Sequence, residues 1–236
     1  MRSPTRVRRP SLAGIVQAIP IVLGYLPAAF AFGVLAGEAG LSLLTATCMS
    51  LFVFAGASQY IALALLQGGQ PIGAIIVTTC IVNLRHLLMS AAMVPLLRQW
   101  PARQRILFAL QMTDETFALH STTLRTEPAH APKVFGVNLV SHAAWIGGSM
   151  IGFSAGALLG DVRSLGFDFA LPAMFIALLV SQIRSLDLLF TALNAGMIAV
   201  ALDRAGWKTS GVMIATIIAA FIGMAGTLWN RPKRSS

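Results

Sequence analysis

The sequence predicts an all-α fold, a polytopic bundle of membrane-spanning helices, and three observations predict it. Of the 236 residues, 56% are hydrophobic and only 11% are charged, where a soluble domain carries about 25% charged residues. Apolar runs long enough to cross hydrocarbon, which takes roughly 20 residues as a helix, recur along the chain. These runs are too long for barrel strands and lack strand alternation, so only helices satisfy their backbone in lipid. The net charge of +9 would suggest nucleic acid in a soluble chain. Here the cations gather in tails and loops: Arg2, Arg6, Arg8 and Arg9, then Arg98, Arg103 and Arg105, then Arg231, Lys233 and Arg234. Charges so placed set topology beside anionic lipid, so the partner read from charge is the bilayer, not nucleic acid.

Seven spans follow in order, at 12–36, 41–66, 71–97, 134–159, 167–183, 186–202 and 209–229. The first exceeds the 7–15-residue apolar core of a cleaved signal and is expected to be retained. It holds Pro20, Gly24, Pro27 and Gly33, which predict a helix kinked or unwound near Gly24–Pro27, because proline removes a backbone donor and clashes with the preceding turn. The turns Gly37-Glu38-Ala39-Gly40 and Gln67-Gly68-Gly69-Gln70 make the first three spans consecutive hairpins. Residues 98–133 form the one long polar connection, within which Ile106–Thr123 can form a short helix that lies at the interface, re-enters or crosses as an eighth span. Arg184-Ser185 separates the fifth and sixth spans. The chain thus divides into a basic tail (1–11), a first half (12–97), the connection (98–133), a second half (134–229) and a second basic tail (230–236), all within a single transmembrane domain.

The two halves of three helices share an internal repeat. Ala28-Ala29-Phe30 recurs as Ala143-Ala144-Trp145, Gly33 and Gly37 as Gly148 and Gly152, Phe54-Ala55 as Phe169-Ala170, and Tyr60-Ile61-Ala62-Leu63 as Phe175-Ile176-Ala177-Leu178, all at the offset 143 − 28 = 115. With three crossings from copy to copy the repeat is inverted, the arrangement of many secondary transporters. With Ile106–Thr123 crossing as well, it is parallel and both termini lie inside, which suits the positive-inside rule. The sequence leaves both open. Gly33-x-x-x-Gly37 and Gly148-x-x-x-Gly152-x-x-x-Gly156 are small-residue faces that permit close helix packing, between the halves or with a partner subunit.

Polar groups inside apolar spans mark function by default. Asn83-Leu84-Arg85-His86 lies mid-span. Arginine offers a planar fork for a carboxylate, and histidine changes protonation near neutrality. Asn83 and His86 share a helix face that Arg85 does not, so either that helix is broken or the arginine braces the site from behind. Thr113-Asp114-Glu115 supplies carboxylates for a substrate ammonium, for protons, or as counter-charges to Arg85. Phe54-Ala55-Gly56-Ala57-Ser58-Gln59 offers close backbone approach and a buried hydrogen-bonding glutamine. Asn138 and His142 share a face in the fourth span, where a packing role is expected. Cys48 and Cys80 lack metal or disulfide spacing, and no metal site or cofactor is expected. HExxH, GxSxG and P-loop motifs are absent, so the chain is read as neither an enzyme nor an ATPase.

Pro20-x-x-x-Gly24-Tyr25-x-Pro27 with Ala31-Phe32-Gly33, then Phe54-Ala55-Gly56-Ala57-x-Gln59, Asn83-Leu84-Arg85-His86 and Thr113-Asp114-Glu115, in that order, resemble the AzlC family, the large subunit of bacterial branched-chain amino-acid exporters. The resemblance covers nearly the whole chain and is strongest from Pro20 to Phe117. It implies a permease of the bacterial inner membrane that exports hydrophobic amino acids with the proton-motive force, beside a small AzlD-type membrane subunit. The expected substrate-binding residues are Gly24, Tyr25, Pro27, Gly56, Gln59, Asn83 and Arg85, and the expected proton-coupling residues are His86, Asp114 and Glu115. The rival readings are an importer or facilitator of another small solute, a structural membrane subunit, and an intramembrane enzyme using Asp114, Glu115, His120 and His142.

Overall fold

In the computed structural model the described residues are 12–159 and 185–207, with single positions between 169 and 183 and between 214 and 224. Both tails and most of the fifth and seventh spans lie outside the described residues. The helices are α1 (Leu12–Glu38), α2 (Leu43–Phe52), α3 (Gly56–Gln67), α4 (Ile72–Met93, tightened into a 3₁₀ turn over Val94–Leu97), α5 (Ala102–Leu110), α6 (Asp114–Thr126), α7 (Ala131–Leu159) and α8 (Leu186–Arg204). Four of them are long and apolar enough to cross a membrane: Leu12–Glu38, Ile72–Leu97, Ala131–Leu158 and Leu186–Arg204. The chain divides into two compact units, 1–174 and 175–236. The second contains α8, which Ser185 caps by accepting from the Leu188 amide.

The first unit is organised around α1 and α7, which touch along most of their length. A methyl group on Gly33 would overlap the Ser149 carbonyl, and one on Gly152 would overlap that of Phe30. A Cβ on Gly148 would lie 2.7 Å from the Ala29 methyl, and one on Gly156 3.3 Å from the Cα of Val34. The glycine faces read from the sequence are therefore two sides of one seam between the halves. At the other end of α1, Gly14 abuts the Lys133 carbonyl and Gly136. Residue numbers rise together on both sides, so α1 and α7 run the same way. The helices that begin the two halves are parallel, which rules out the inverted orientation for this pair and is the sense expected when the chain returns once more through α5 and α6. The matches at Phe169-Ala170 and Phe175–Leu178 fall largely outside the described residues.

Of the kink or unwinding expected near Gly24–Pro27, the unwinding is not found there; the helix breaks lie elsewhere. The chain remains helical through Pro20 and Pro27, since neighbouring groups in a bundle can meet the carbonyls proline leaves free. The breaks fall at Val53–Ala55, within the second apolar span, and at Gln111–Thr113, within Ile106–Thr123. Phe54 sits at φ +40°, a left-handed backbone that costs a non-glycine residue about 1–3 kcal/mol and persists only where surroundings hold it. At the second break, Thr113 caps α6: its Oγ1 accepts from the Thr116 amide, and Thr116 Oγ1 accepts from the Thr113 amide. Asp114 and Glu115 fill the first turn, where the helix dipole favours negative charge.

A seam of backbone contacts has no room for a methyl group. Gly33→Ala is expected to cost about 2 kcal/mol or more and to lower the melting temperature of detergent-solubilised protein. Gly73→Ala, with nothing within 4 Å, is the neutral comparison. Equal melting temperatures for the two variants would show that the seam does not bear on stability.

Candidate functional site

Both helix breaks meet Tyr25, midway along α1. The Tyr25 hydroxyl is 2.6 Å from Thr113 Oγ1 and 2.7 Å from Glu115 Oε2. Its ring meets Phe54 edge-on at 6.2 Å and Trp145 at 5.3 Å. On the far side of Phe54, His142 stacks at 4.0 Å, and its Nε2 donates to the Ser50 carbonyl at 3.1 Å. That carbonyl belongs to the last turn of α2, where no helical partner exists. His142 is thus a packing histidine that holds the first break.

A ring of hydrogen bonds closes over the same break. Trp145 Nε1 donates to Gln59 Oε1 at 3.0 Å, Gln59 Nε2 to Ser50 Oγ at 3.3 Å, Ser50 Oγ to Ser149 Oγ at 2.9 Å, and Ser149 Oγ to the Trp145 carbonyl at 2.8 Å. Ser50, Gln59 and Ser149 are each 1% exposed or less, so each polar atom depends on its neighbour in the ring. Gly56 makes room for this: a Cβ there would lie 2.7 Å from the Trp145 ring. Gly56 and Gln59 thus join α3 to α7.

Arg85 and Asp114 form the charged centre. Arg85 Nη1 is 3.0 Å from Asp114 Oδ2, with side chains 29% and 19% exposed. The helix carrying Arg85 is unbroken from Ile72 to Met93, so the arginine binds α4 to the start of α6 from behind. Its Nε is buried without a partner. The neighbouring face of α4 lines a cavity of about 480 Å³ together with α2 and α3. Its polar members are Ser58, Gln59, Thr79, Cys80 and Asn83; its apolar ones include Met49, Val53, Ile75 and Leu87. The Asn83 Oδ1 acceptor is buried and has no partner in the protein. Cys80 is an exposed free thiol and Cys48 a half-buried one.

The structure therefore brings Tyr25, Arg85, Asp114 and Glu115 to the meeting point of α1, α4 and α6, and places Asn83 and Gln59 on the adjacent cavity. His86 follows Arg85 on α4, half-buried and off the cavity wall. Gly24 and Pro27 are exposed on the outer side of α1 and are not brought to this cluster. Trp145, Ser50, Thr116 and Ser149 were not singled out from the sequence. The signals for them were slight: a Thr-x-x-Thr capping spacing, and a tryptophan where the repeat places Phe30. Among the described residues, no group of three or more His, Cys, Asp or Glu side chains is placed to hold a metal ion.

Spanning helices around buried charged and hydrogen-bonded groups define a multi-pass integral membrane protein. The family model described as AzlC protein matches residues 20–159, and the chain belongs to that family. The model of the MJ1155 family matches residues 162–226. An uncharacterized membrane protein of Archaeoglobus fulgidus is 33% identical over 207 residues, 86% of this chain and 90% of the relative. The inner membrane protein YgaZ of Escherichia coli is 30% identical over 210 residues, 84% and 86% of the two chains. The branched-chain amino acid transport protein AzlC of Bacillus subtilis is 30% identical over 168 residues, 70% and 64%. No solved structure matches the chain.

Two outcomes follow from these networks. In a double-mutant cycle on thermal stability, Arg85→Gln and Asp114→Asn should each destabilise, and the pair should couple by more than about 1 kcal/mol; strict additivity would deny the ion pair any role. Trp145→Phe leaves Gln59 Oε1 buried without a donor and should cost about 1–3 kcal/mol, read as a lowered melting temperature. No change there would mean that the ring is not made.

Proposed function

We propose that this protein is the transport subunit of a branched-chain or other hydrophobic amino-acid exporter of the inner membrane, driven by the proton-motive force and working with a small membrane subunit. The observation that carries the reading is the cavity between α2, α3 and α4. Its volume falls in the range of about 300–1,000 Å³ usual for small-molecule sites, and its wall is mostly apolar with a buried, unpartnered acceptor at Asn83. An aliphatic side chain suits the apolar wall, and an ammonium suits Asn83 Oδ1. Arg85 lies behind that wall, held by Asp114, and its positive field favours the carboxylate end of the substrate. Glu115, bonded to Tyr25 rather than to a cation, is the carboxylate free to take and release a proton. The name of the Bacillus relative supports the substrate class. Among the described residues, those of α4 before Met93 are exposed or half-buried, which leaves a face available to a second subunit.

The test is counterflow of radiolabelled leucine in proteoliposomes containing this chain and the small membrane subunit. Asn83→Leu should lower the rate at least tenfold while the protein elutes as wild type on size exclusion. In a Cys48→Ala background, leucine should protect Cys80 from a maleimide, and lysine should not. Unchanged counterflow in Asn83→Leu would remove the cavity from the pathway, and unchanged efflux in Arg85→Gln would remove the arginine. If leucine is not moved at all but another small solute is, the facilitator reading takes its place.

A further inference from the structure

The Tyr25 hydroxyl contacts two oxygens but carries one hydrogen. When Glu115 is ionised, Tyr25 donates to the carboxylate and accepts from Thr113. When Glu115 is protonated, the acid donates to Tyr25, and Tyr25 donates to Thr113. The next contact, Thr113 Oγ1 to Thr116 Oγ1 at 3.1 Å, also serves with either atom as donor. With the hydrogens reversed, Thr116 Oγ1 still has the Thr113 carbonyl to donate to, at 3.2 Å. Every contact of the series Glu115–Tyr25–Thr113–Thr116 thus survives reversal without moving a heavy atom. A chain of purely structural hydrogen bonds has no need of that property; one that passes protons does.

The series continues along α6. His120 lies one turn beyond Thr116, on the same face, and is 2% exposed. Its Nε2 is 2.8 Å from Asn138 Oδ1. An amide oxygen only accepts, so Nε2 carries its hydrogen and Nδ1 is the basic nitrogen. Beside it, Asn138 Nδ2 and Ser141 Oγ are both buried and have no partner in the protein. They lie three apart on α7, on one face. Buried polar atoms without protein partners are held by ordered water where there is room for it.

We propose that Thr116 and His120, with Asn138 holding the imidazole and water at the unpartnered Asn138 and Ser141 groups, form a proton path that leads to Glu115 through Thr113 and Tyr25. The inference rests on the proton-coupled reading given above and adds the route. One proton enters from water onto His120 Nδ1, the imidazolium passes it by way of water to Thr116, and the hydroxyls of Thr116, Thr113 and Tyr25 each pass one on. The last proton forms the O–H bond of Glu115, so one proton is taken up and one is bound. The groups facing Glu115 are Tyr25 from α1 and Asp114 beside it on α6, itself paired with Arg85 of α4, which His86 follows. Those facing His120 are Asn138 from α7 and the Phe108 ring of α5 at 5.4 Å. At the α6–α7 end, Lys133 and Glu127 pair at 2.6 Å.

The experiment compares two modes of leucine movement in proteoliposomes holding this chain and its small subunit. Accumulation driven by a pH gradient needs the path, and leucine counterflow at equal pH does not. His120→Gln should reduce the first at least tenfold and leave the second within twofold. Ser141→Ala removes a hydroxyl that bonds nothing in the protein, so a merely structural role leaves both modes unchanged; the path predicts a several-fold loss of gradient-driven accumulation alone. If both variants respond to the gradient as wild type does, or if each loses both modes in equal measure, the path is wrong. If wild-type counterflow is present but indifferent to the gradient, the proton-coupled reading itself falls and the path falls with it.

Discussion

The contact between the backbones of α1 and α7 is the constraint on which the rest of the first unit depends. Four glycines along the seam, Gly33, Gly148, Gly152 and Gly156, bring two helices closer than side chains would permit, and lipid offers no hydrophobic force to do this by other means. The approach is close enough to place Tyr25 and Trp145 ring to ring. Each then reaches one of the two interrupted segments, Tyr25 the start of α6 and Trp145 the start of α3. The seam supplies rigidity, and the breaks supply the irregular backbone that a site in a membrane needs.

Irregular backbone at membrane depth is tolerated only when it is buried in protein or lines a wet cavity, and the two breaks meet this condition differently. At Val53–Ala55 the α2 carbonyls and the left-handed Phe54 are held by His142, Trp145 and the ring of polar side chains. At Gln111–Thr113 the helix caps itself through Thr113 and Thr116, and turns its two first-turn carboxylates toward opposite partners. Asp114 neutralises a cation; Glu115 accepts from the Tyr25 phenol. Two adjacent carboxylates in one helical turn thereby acquire different chemistry from their neighbours alone.

How much of this was legible before the structure varies by residue. The helical membrane class, the first, third and fourth spans, the packing role of the glycine faces and a carboxylate partner for Arg85 all follow from composition and spacing. The positions of the breaks do not. Residues 41–66 are apolar apart from Gln59 and isolated serines and threonines, and nothing local marks an interruption at Phe54; the interruption is held by His142 and Trp145, far along the chain. Pro20 and Pro27 pointed to α1 instead, but proline inside a membrane helix need not break it. Asn83 was recognised as polar and mid-span, yet its place on a cavity wall depends on how α4 lies against α3. Tyr25 stood in a motif, but its bond to Glu115 spans 90 residues and had no local sign.

The ring through Trp145, Gln59, Ser50 and Ser149 has a further consequence for how this sequence can change over time. Each of the four side chains exists in its present form because the next one accepts or donates in turn, and the circuit draws on three helices. A replacement at one position removes the reason for the other three to remain polar in an apolar setting. The four sites are therefore coupled: a change at one leaves a buried neighbour without its partner, and only a concerted apolar replacement avoids that cost. The glycine at position 56 belongs to the same set, since any larger residue there would evict the tryptophan that closes the circuit.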